Sequence, residues 1–296
     1  VLSRIRGTID LYYKKTSDLL WNYPVSQPPY LYSSMLANVG TLVNKGVEFT
    51  LNADVLKLKD FNWTADLTFS YNHQEITCLS NDTFQDVGTP AGQLHGIDGL
   101  SNAYTQIVKE GYPTGAFFGP HCRGIDENGE YVIDNPDEKA YLGSAQPKFN
   151  LGFSTNATWK WFDLSVAAYG MFGQKILNAT NMQLFTDTRM PNKNIPDKFA
   201  KQGIKPDKIT YSDYWIEDGS FLRLQSITLG FTIPGTKKWG LKPLRVYSTI
   251  DNVCTITGYS GLDPEISTSG LDNPGIDLCN VYPRTRSFIF GVNVSF

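Results

Sequence analysis

The stretch SFIFGVNVSF, residues 287–296, decides the fold. Apolar side chains occupy positions 288, 290, 292, 294 and 296, whereas small or polar side chains occupy positions 287, 291, 293 and 295. Ile289 is the exception to this alternation. A period of two residues gives a β-strand one apolar face and one polar face. The stretch therefore predicts a two-faced strand that ends on the aromatic ring of Phe296.

Further segments repeat this two-residue period along the chain. The eight predicted strands are residues 5–13, 47–55, 61–71, 149–159, 162–172, 227–233, 244–253 and 287–296. The segment 244–253 fits least well, because Tyr247 and Ser248 each fall on the less expected face. Arg223 and Gln225 also break the apolar rhythm just before residue 227, which suggests that this part of the strand lies outside the lipid and that a bulge could occur there. The sequence as a whole predicts an all-β fold with an antiparallel sheet.

The connections between these strands fall into two length classes. Residues 57–60 and 159–161 are short turns, and about ten residues around Pro234 join the sixth and seventh strands. The other connections, 21–43, 78–147, 178–219 and 255–286, are long and rich in Gly, Pro, Asn and Asp. Short periplasmic turns at one end and long extracellular loops at the other are typical of bacterial outer-membrane β-barrels. A soluble β-sandwich would also alternate, but its strands are nearer about five or six residues and its loops need not sort by end.

Composition is compatible with such a barrel and argues against a helical membrane protein and a nucleic-acid-binding protein. Of 296 residues, 41% are hydrophobic and 19% are charged. No apolar run approaches the roughly 20 residues that a spanning helix needs. A formal net charge of −3 argues against a nucleic-acid partner, for which a basic stripe would be expected.

The start of the sequence suggests a portion of a larger barrel. Val1 is followed by no charged-then-apolar signal segment, and Ile5 already lies in a strand pattern. We therefore expect residues 1–296 to form the C-terminal part of a transmembrane barrel, with the plug domain and the signal peptide absent from this sequence. Eight strands could also close a small barrel that is filled by side chains.

Ten sequence blocks occur in a distinctive order. They are NVG (38–40), NKGVE (44–48), EGYPTG (110–115), GID (124–126), QPK (146–148), DGSFLRL (218–224), ITLGF (227–231), DNV (251–253), YSGLDPE (259–265) and YPRTR (282–286). In these blocks the chain resembles the C-terminal part of the SusC/RagA-like TonB-dependent outer-membrane transporters of the Bacteroides group, over nearly its whole length. The segment GPH (119–121) departs from the pattern, because the family usually has an aromatic residue after the glycine.

The resemblance implies a barrel of about 22 strands that is occluded by an N-terminal plug. It also implies a SusD-like lipoprotein at the cell surface and import of an oligosaccharide or oligopeptide into the periplasm. The TonB–ExbB–ExbD complex would supply the energy through the missing N-terminal part. The alternatives are a non-translocating β-rich surface protein that binds glycans, and a passive porin. Neither an enzymatic activity nor a cofactor is expected.

Aromatic side chains in the outer loops are the predicted substrate contacts, because flat rings with a polar group suit sugars and also protein interfaces. They are Trp21, Tyr23, Tyr30, Tyr32, Tyr211, Tyr214, Trp215 and Tyr259. The same rings could instead form the interfacial girdle of the barrel or pack loop on loop.

Two acidic segments carry carboxylates that could take part in catalysis or bind a metal. Asp263 and Glu265 place two carboxylates in one loop, but a tripeptide with Pro264 gives no sign of the fixed separation that hydrolysis needs, so a hydrogen-bonding role is favoured. Residues 126–134 are acidic like a calcium loop but miss the EF-hand spacing, which leaves calcium as a minor hypothesis and no metal site predicted.

Histidine and cysteine residues form no recognisable catalytic or zinc pattern. The histidines lie near no nucleophile elbow, and Cys122 follows His121 only as a neighbour in a loop. The four cysteines show no C-x-x-C spacing, which favours free thiols over a bridge between Cys254 and Cys279.

Overall fold

The computed structural model describes residues 4–25, 27–80, 85, 87–186, 194–201, 208–234, 243–266, 274–279 and 282–294. The strands within these ranges are β1 (Ile5–Pro24), β2 (Ser34–Lys57), β3 (Phe61–Cys78), β4 (Thr89–Gln93), β5 (Tyr104–Val108), β6 (Ala116–Gly119), β7 (Cys122–Ile125), β8 (Tyr131–Ile133), β9 (Ala140–Ser144), β10 (Phe149–Trp159), β11 (Phe162–Phe172), β12 (Lys175–Leu177), β13 (Ile216–Asp218), β14 (Phe221–Ile233), β15 (Leu244–Thr257) and β16 (Ser287–Asn293). The helices are α1 (Ala179–Leu184), α2 (Asp197–Ala200) and a 3₁₀ turn, Asp213–Trp215.

One antiparallel sheet contains every strand that the alternation predicts. Its order is β1-β2-β3-β10-β11-β14-β15-β16, and each of its eight strands overlaps one predicted segment, although β16 ends at Asn293, before the predicted end at residue 296. The all-β prediction is therefore confirmed. The final residue of the predicted last strand, Phe296, lies outside the described residues.

The register of this sheet collects the apolar side chains on one face. Ile9 pairs with Phe49, which pairs with Phe69, which pairs with Leu151. The residues between them form equivalent polar rows, in which Thr50 pairs with both Thr8 and Thr68. We call these two surfaces the apolar face and the polar face of the main sheet.

The apolar face has no dry core against it in the described structure. Trp63 is 37% exposed and Phe153 is 40% exposed, although both rings lie among apolar neighbours. A soluble sandwich would bury such rings between two packed sheets. Their exposure argues against that alternative.

Glycines explain why Tyr247 occupies the polar face. Tyr247 pairs with Gly230 on one side and with Gly291 on the other, and its ring covers the place where a Cβ of Gly291 would stand. Tyr12 covers its partner Gly46 in the same way. Aromatic rings that cover glycines on a neighbouring strand protect the exposed backbone. Residues 244–253 therefore alternate poorly because the ring of Tyr247 packs over a glycine of the neighbouring strand on the polar face.

The first long connection is shorter than the sequence suggests. Residues 21–43 were expected to form a loop, but β1 continues to Pro24 and β2 begins at Ser34, so that only residues 25–33 connect them. The backbone hydrogen-bond ladder does not depend on side-chain polarity, and it continues past the point where the apolar alternation ends.

The predicted bulge before residue 227 is present. The pairing of β14 with β15 shifts between Leu224 and Ser226, and the pairing with β11 shifts between Ala167 and Ala168. Gln225 is the extra residue, and the shift places Arg223 opposite Tyr169 on the polar face.

The remaining long connections fold into a packed structure, which we call the outer unit and which consists of the described residues of 87–147, 174–219 and 258–279. It contains the small sheets β4-β5-β6-β9, β7-β8 and β12-β13. Its buried hydrophobic cluster consists of Leu94, Ile97, Phe117, Ala145, Leu177, Ala179, Met182, Phe185, Phe199, Trp215 and Ile276. In the part of the chain that the structure describes, no helix is both long and apolar enough to cross a bilayer.

Candidate functional site

The aromatic residues of the first connection are split between buried and exposed positions. Tyr23 is only 3% exposed, and its hydroxyl donates a hydrogen bond to the carbonyl of Leu79. Tyr30 and Tyr32 are 40% and 73% exposed. Trp21 lies in β1, but its side chain is outside what the structure describes. Among the described side chains of this group, Tyr30 and Tyr32 are thus the ones that present rings to solvent.

Trp215 lies in the core of the outer unit. It packs edge-on against Phe185 and Phe199, with ring centroids 5.4 Å and 6.3 Å away, and its Nε1 donates to the hydroxyl of Tyr131 at 3.0 Å. Tyr214 is 41% exposed, and its ring contacts those of Trp215 and Tyr131. Burial raises the pKa of Tyr131, which keeps its hydroxyl neutral.

Tyr211 and Tyr259 both direct their hydroxyl groups inward. Tyr211 donates to the carbonyl of Thr105 at 2.8 Å, and its ring covers Gly119. Tyr259 is 5% exposed and donates to Oδ2 of Asp277 at 2.8 Å. Burial, and then the charge of Asp277, raise the pKa of Tyr259. The geometry of both side chains is that of packing residues, and substrate contact by any member of the predicted set stays a prediction.

The GPH segment is packed despite its departure from the family pattern. The ring of Tyr211 lies directly against Gly119, where a Cβ would stand. Nδ1 of His121 contacts Oδ2 of Asp213, and Oδ1 of Asp213 accepts the backbone N–H of Cys122 at 2.7 Å. Asp213 thus fixes the loop, and Cys122 itself is buried, with its thiol directed to the carbonyl of Gly124 at 3.2 Å.

Asp263 and Glu265 belong to an ion-pair network. Nη2 of Arg223 lies 2.6 Å from Oδ1 of Asp263, and Nη2 of Arg284 lies 2.9 Å from Oε1 of Glu265. The hydroxyl of Tyr169 donates to Oε2 of Glu265 at 2.6 Å. The Arg223 side chain is 1% exposed. This network ties the last outer loop to β11 and β14, as the hydrogen-bonding interpretation of the two carboxylates predicted.

The acidic segment 126–134 forms a turn between β7 and β8. Oδ1 of Asp126 accepts the backbone N–H groups of Asn128 at 2.8 Å and Glu130 at 2.9 Å. These donors lower the pKa of Asp126. Asp134 pairs instead with Arg123, at 2.8 Å. In the described ranges, no three His, Cys, Asp or Glu side chains come together as a metal site.

The four cysteines, all within the described ranges, are thiols and form no disulfide. The bridge between Cys254 and Cys279 that the sequence left open is therefore not present. The Sγ of Cys279 lies 3.0 Å from Oε1 of Gln183.

Sequence reasoning missed the outer unit as a packed body. Its core residues are scattered through three long connections, and no periodic pattern marks them. Arg223 did carry a signal, because a cation that interrupts an apolar strand needs a partner. That partner, Asp263, lies 40 residues away along the chain.

The two-faced sheet and its packed outer unit define the class of protein: an all-β chain built on one eight-stranded antiparallel sheet, which matches part of known outer-membrane β-barrel proteins. Solved structures of the RagAB peptide transporter match it with a TM-score of 0.74 at 24% identity, over 99% of this chain and 34% of that one. The RagAB peptide importer in the "open-open" state matches it with a TM-score of 0.74 at 25% identity, over 99% of this chain and 33% of that one.

Sequence relatives point to one family within that class. The chain is 31% identical over 315 residues to the TonB-dependent receptor SusC of Bacteroides thetaiotaomicron, covering 99% of this chain and 30% of the relative. It is 28% identical over 338 residues to the TonB-dependent receptor P3 of Formosa agariphila, covering 99% and 32%. No protein-family model matches the chain. The chain is thus similar to TonB-dependent receptors of the SusC type, as its sequence blocks predicted, and it spans about a third of the length of these relatives.

Proposed function

We propose that the protein to which this chain belongs imports an oligosaccharide or an oligopeptide across the outer membrane in a TonB-dependent manner. The observation that carries this proposal is the two-faced sheet in a chain that matches TonB-dependent receptors along 99% of its length. The sheet supplies the barrel wall, with the apolar face toward lipid and the polar face toward the lumen.

The dimensions of β10 and β11, in the middle of the main sheet, support membrane insertion. β10 and β11 each have 11 residues. At about 3.4 Å per residue and a tilt of about 45°, such a strand rises roughly 25 Å along the membrane normal. The apolar band of outer-membrane barrels has about the same height. The longer strands β1 and β2 extend beyond this band.

The packing of the outer unit supports the proposal that a SusD-like lipoprotein binds to it. Its core is buried, so that its surface is already formed before any partner binds, which lowers the entropic cost of association. A SusD-like lipoprotein at the cell surface would dock on this unit. The TonB–ExbB–ExbD complex would act through the plug, away from the residues described here.

Uptake assays with labelled oligosaccharides and peptides test this proposal. Deletion of the gene should abolish uptake of one substrate class, and loss of TonB should have the same effect. A passive porin would retain uptake without TonB. A non-translocating binding protein would bind the label without internalising it, and the full-length protein would stay monodisperse in aqueous buffer without detergent.

The exposed rings are the members of the predicted contact set that can reach a ligand without rearrangement. Tyr30→Ala, Tyr32→Ala and Tyr214→Ala together should weaken substrate binding about tenfold or more, because ring contacts contribute about 0.5–1.5 kcal/mol each. Tyr13→Ala is the matched control, since Tyr13 is 68% exposed but lies on the apolar face. Equal loss of binding in both proteins would contradict the assignment, and isothermal titration calorimetry provides the measurement.

A further inference from the structure

One segment of the chain carries no charged side chain. Residues 19–44 contain no Asp, Glu, Lys or Arg, whereas 19% of the whole chain is charged. The segment includes the end of β1, the connection 25–33 and the first part of β2. We call residues 19–44 the uncharged hairpin. Depletion of charge is typical of the core of a protein–protein interface, whereas a solvated loop has no reason to avoid charged residues.

The uncharged hairpin extends beyond the lipid-facing band of the main sheet. Tyr13 of β1 pairs with Lys45 of β2, which pairs with His73 of β3, so that ionisable groups begin at this row. From this row β1 continues to Pro24, and β2 begins at Ser34. At about 3.4 Å per residue and a tilt of about 45°, the strands place the tip of the hairpin roughly 25 Å above the row. The tip therefore lies outside the hydrocarbon.

Leucine side chains of the hairpin are exposed. Leu20, Leu31 and Leu36 are 65%, 85% and 63% exposed, and the register places Leu20 and Leu36 on the same side of the hairpin. With the exposed rings of Tyr30 and Tyr32, they present roughly 600 Å² of largely apolar surface, which is as large as the largest apolar patch on a typical monomer. One side of a stable protein–protein interface buries about 800 Å². The hairpin therefore supplies most of the area that one such side needs.

The opposite side of the hairpin is held against the outer unit. Tyr23 is buried, and its hydroxyl donates to the carbonyl of Leu79. The N–H of Leu79 donates to Oε1 of Glu110, a residue of the outer unit, at 2.5 Å. At the tip, Nε2 of Gln27 donates to the carbonyl of Leu31 at 2.7 Å. The exposed side of the hairpin is therefore formed before any partner binds, and it is continuous with the outer unit.

We propose that the uncharged hairpin binds the SusD-like lipoprotein of the proposed function, which contacts it through an uncharged, apolar surface. The tip lies on the outer side of the membrane, where this lipoprotein would be, and the hairpin adjoins the outer unit on which it would dock. The contact buries Leu20, Leu31 and Leu36. Because it involves no charged side chain of the hairpin, salt does not screen it. This inference rests on the proposed function.

Binding of the full-length protein in detergent to the separately purified lipoprotein tests the inference. No substrate is added, and leucines are substituted because the neighbouring rings are also predicted substrate contacts. Leu31→Ala with Leu36→Ala should weaken binding at least about tenfold, because less apolar surface is then removed from water. Both side chains are exposed, so that their truncation leaves the fold intact. The loss should be the same at about 0.1 M and about 1 M salt. Biolayer interferometry measures the dissociation constants.

Leu11→Ala with Leu58→Ala is the matched control, because these leucines are 77% and 61% exposed but lie outside the hairpin. This pair should leave the affinity unchanged. Equal loss in both double variants, or full affinity of the hairpin variant, would overturn the inference. If the hairpin variant kept its affinity for the lipoprotein but lost self-association, the surface would belong to a second copy of the protein, which would also overturn it. Absence of any binding by the unsubstituted protein would contradict the partner in the proposed function as well.

Discussion

Arg223 shows how a single cation on a barrel wall is accommodated. Its side chain is 1% exposed, and burial of an unpaired charge costs several kcal/mol. Asp263 at 2.6 Å and Glu265 at 3.9 Å supply the compensating charge from the last outer loop. Arg284, from the same loop, contacts both carboxylates and balances the charge of the cluster. The loop is therefore held to the wall by electrostatic contacts rather than by apolar packing alone.

Asp263→Ala tests this residue-scale argument. The substitution leaves the buried Arg223 without its short contact and should destabilise the loop attachment by about 3–5 kcal/mol. Hydrogen exchange of the described residues 259–266 should become faster. Asp134→Ala is the control, because the pair that it breaks, Arg123 with Asp134, is exposed at 68% and 43% and should change stability by at most about 1 kcal/mol. Equal destabilisation by Asp263→Ala and Asp134→Ala would contradict the argument that the Arg223–Asp263 pair matters because it is buried.

Glu110 gives a pH dependence with a defined sign. Its Oε1 accepts the backbone N–H of Leu79 at 2.5 Å, and this hydrogen bond lowers the pKa of Glu110 below its ordinary value of 4.5. A lowered pKa means that the stabilisation is complete above the ordinary value and is lost as the pH falls through the lowered one. The amide of Leu79 should therefore lose protection on acidification. Glu110→Gln should abolish this pH dependence, and persistence of the dependence in that variant would refute it.

At the scale of elements, the strands were predictable where they have two different environments. Residues 149–159 and 162–172 alternate over most of their length, and the observed bounds of β10 and β11 are the same. The ends of β1 and β2 were not predictable, because beyond the apolar band both faces meet polar surroundings and the two-residue period carries no signal. Backbone hydrogen bonds between the two strands extend β1 to Pro24 and allow β2 to begin at Ser34.

Neighbouring positions in β10 provide a test of the two faces. Phe153 lies on the apolar face near the middle of the strand, and Ser154 lies on the polar face, where its Oγ is 3.2 Å from Oδ2 of Asp66. Phe153→Arg should destabilise the inserted protein by about 2–4 kcal/mol, as arginine does at the lipid-facing midplane. Ser154→Arg should cost much less, since the lumen is polar and Asp66 is close. Denaturant unfolding in lipid vesicles measures both, and a reversed order would exclude the assigned orientation.

At the scale of the whole molecule, the outer unit was beyond the reach of sequence patterns. Phe117, Met182, Trp215 and Ile276 come from three different connections and meet only in the folded chain. Short strands such as β12 and β13, with three residues each, contain too few positions to show a period. The aromatic residues Trp215 and Tyr259 were recognised, but their burial depends on these long-range contacts.

Met182→Ala should loosen the outer unit and leave the main sheet intact. Met182 is 1% exposed, and truncation of a buried methionine costs about 2–5 kcal/mol. Limited proteolysis should cut the outer unit of the variant, while the main sheet keeps its resistance to heat in detergent. Ile256→Ala is the control, because Ile256 is 67% exposed. Simultaneous loss of both parts in the Met182 variant would show that they unfold as one cooperative body.

The order of the main sheet leaves β1 and β16 with one neighbouring strand each among the described residues. Each of these strands therefore has an edge of unpaired amide and carbonyl groups along one side. Such edges tend to pair with a strand of another polypeptide. If residues 1–296 were expressed on their own, the unpaired edges of β1 and β16 would pair between different molecules. Concentration-dependent fibres or oligomers are the expected product, rather than a soluble monomer.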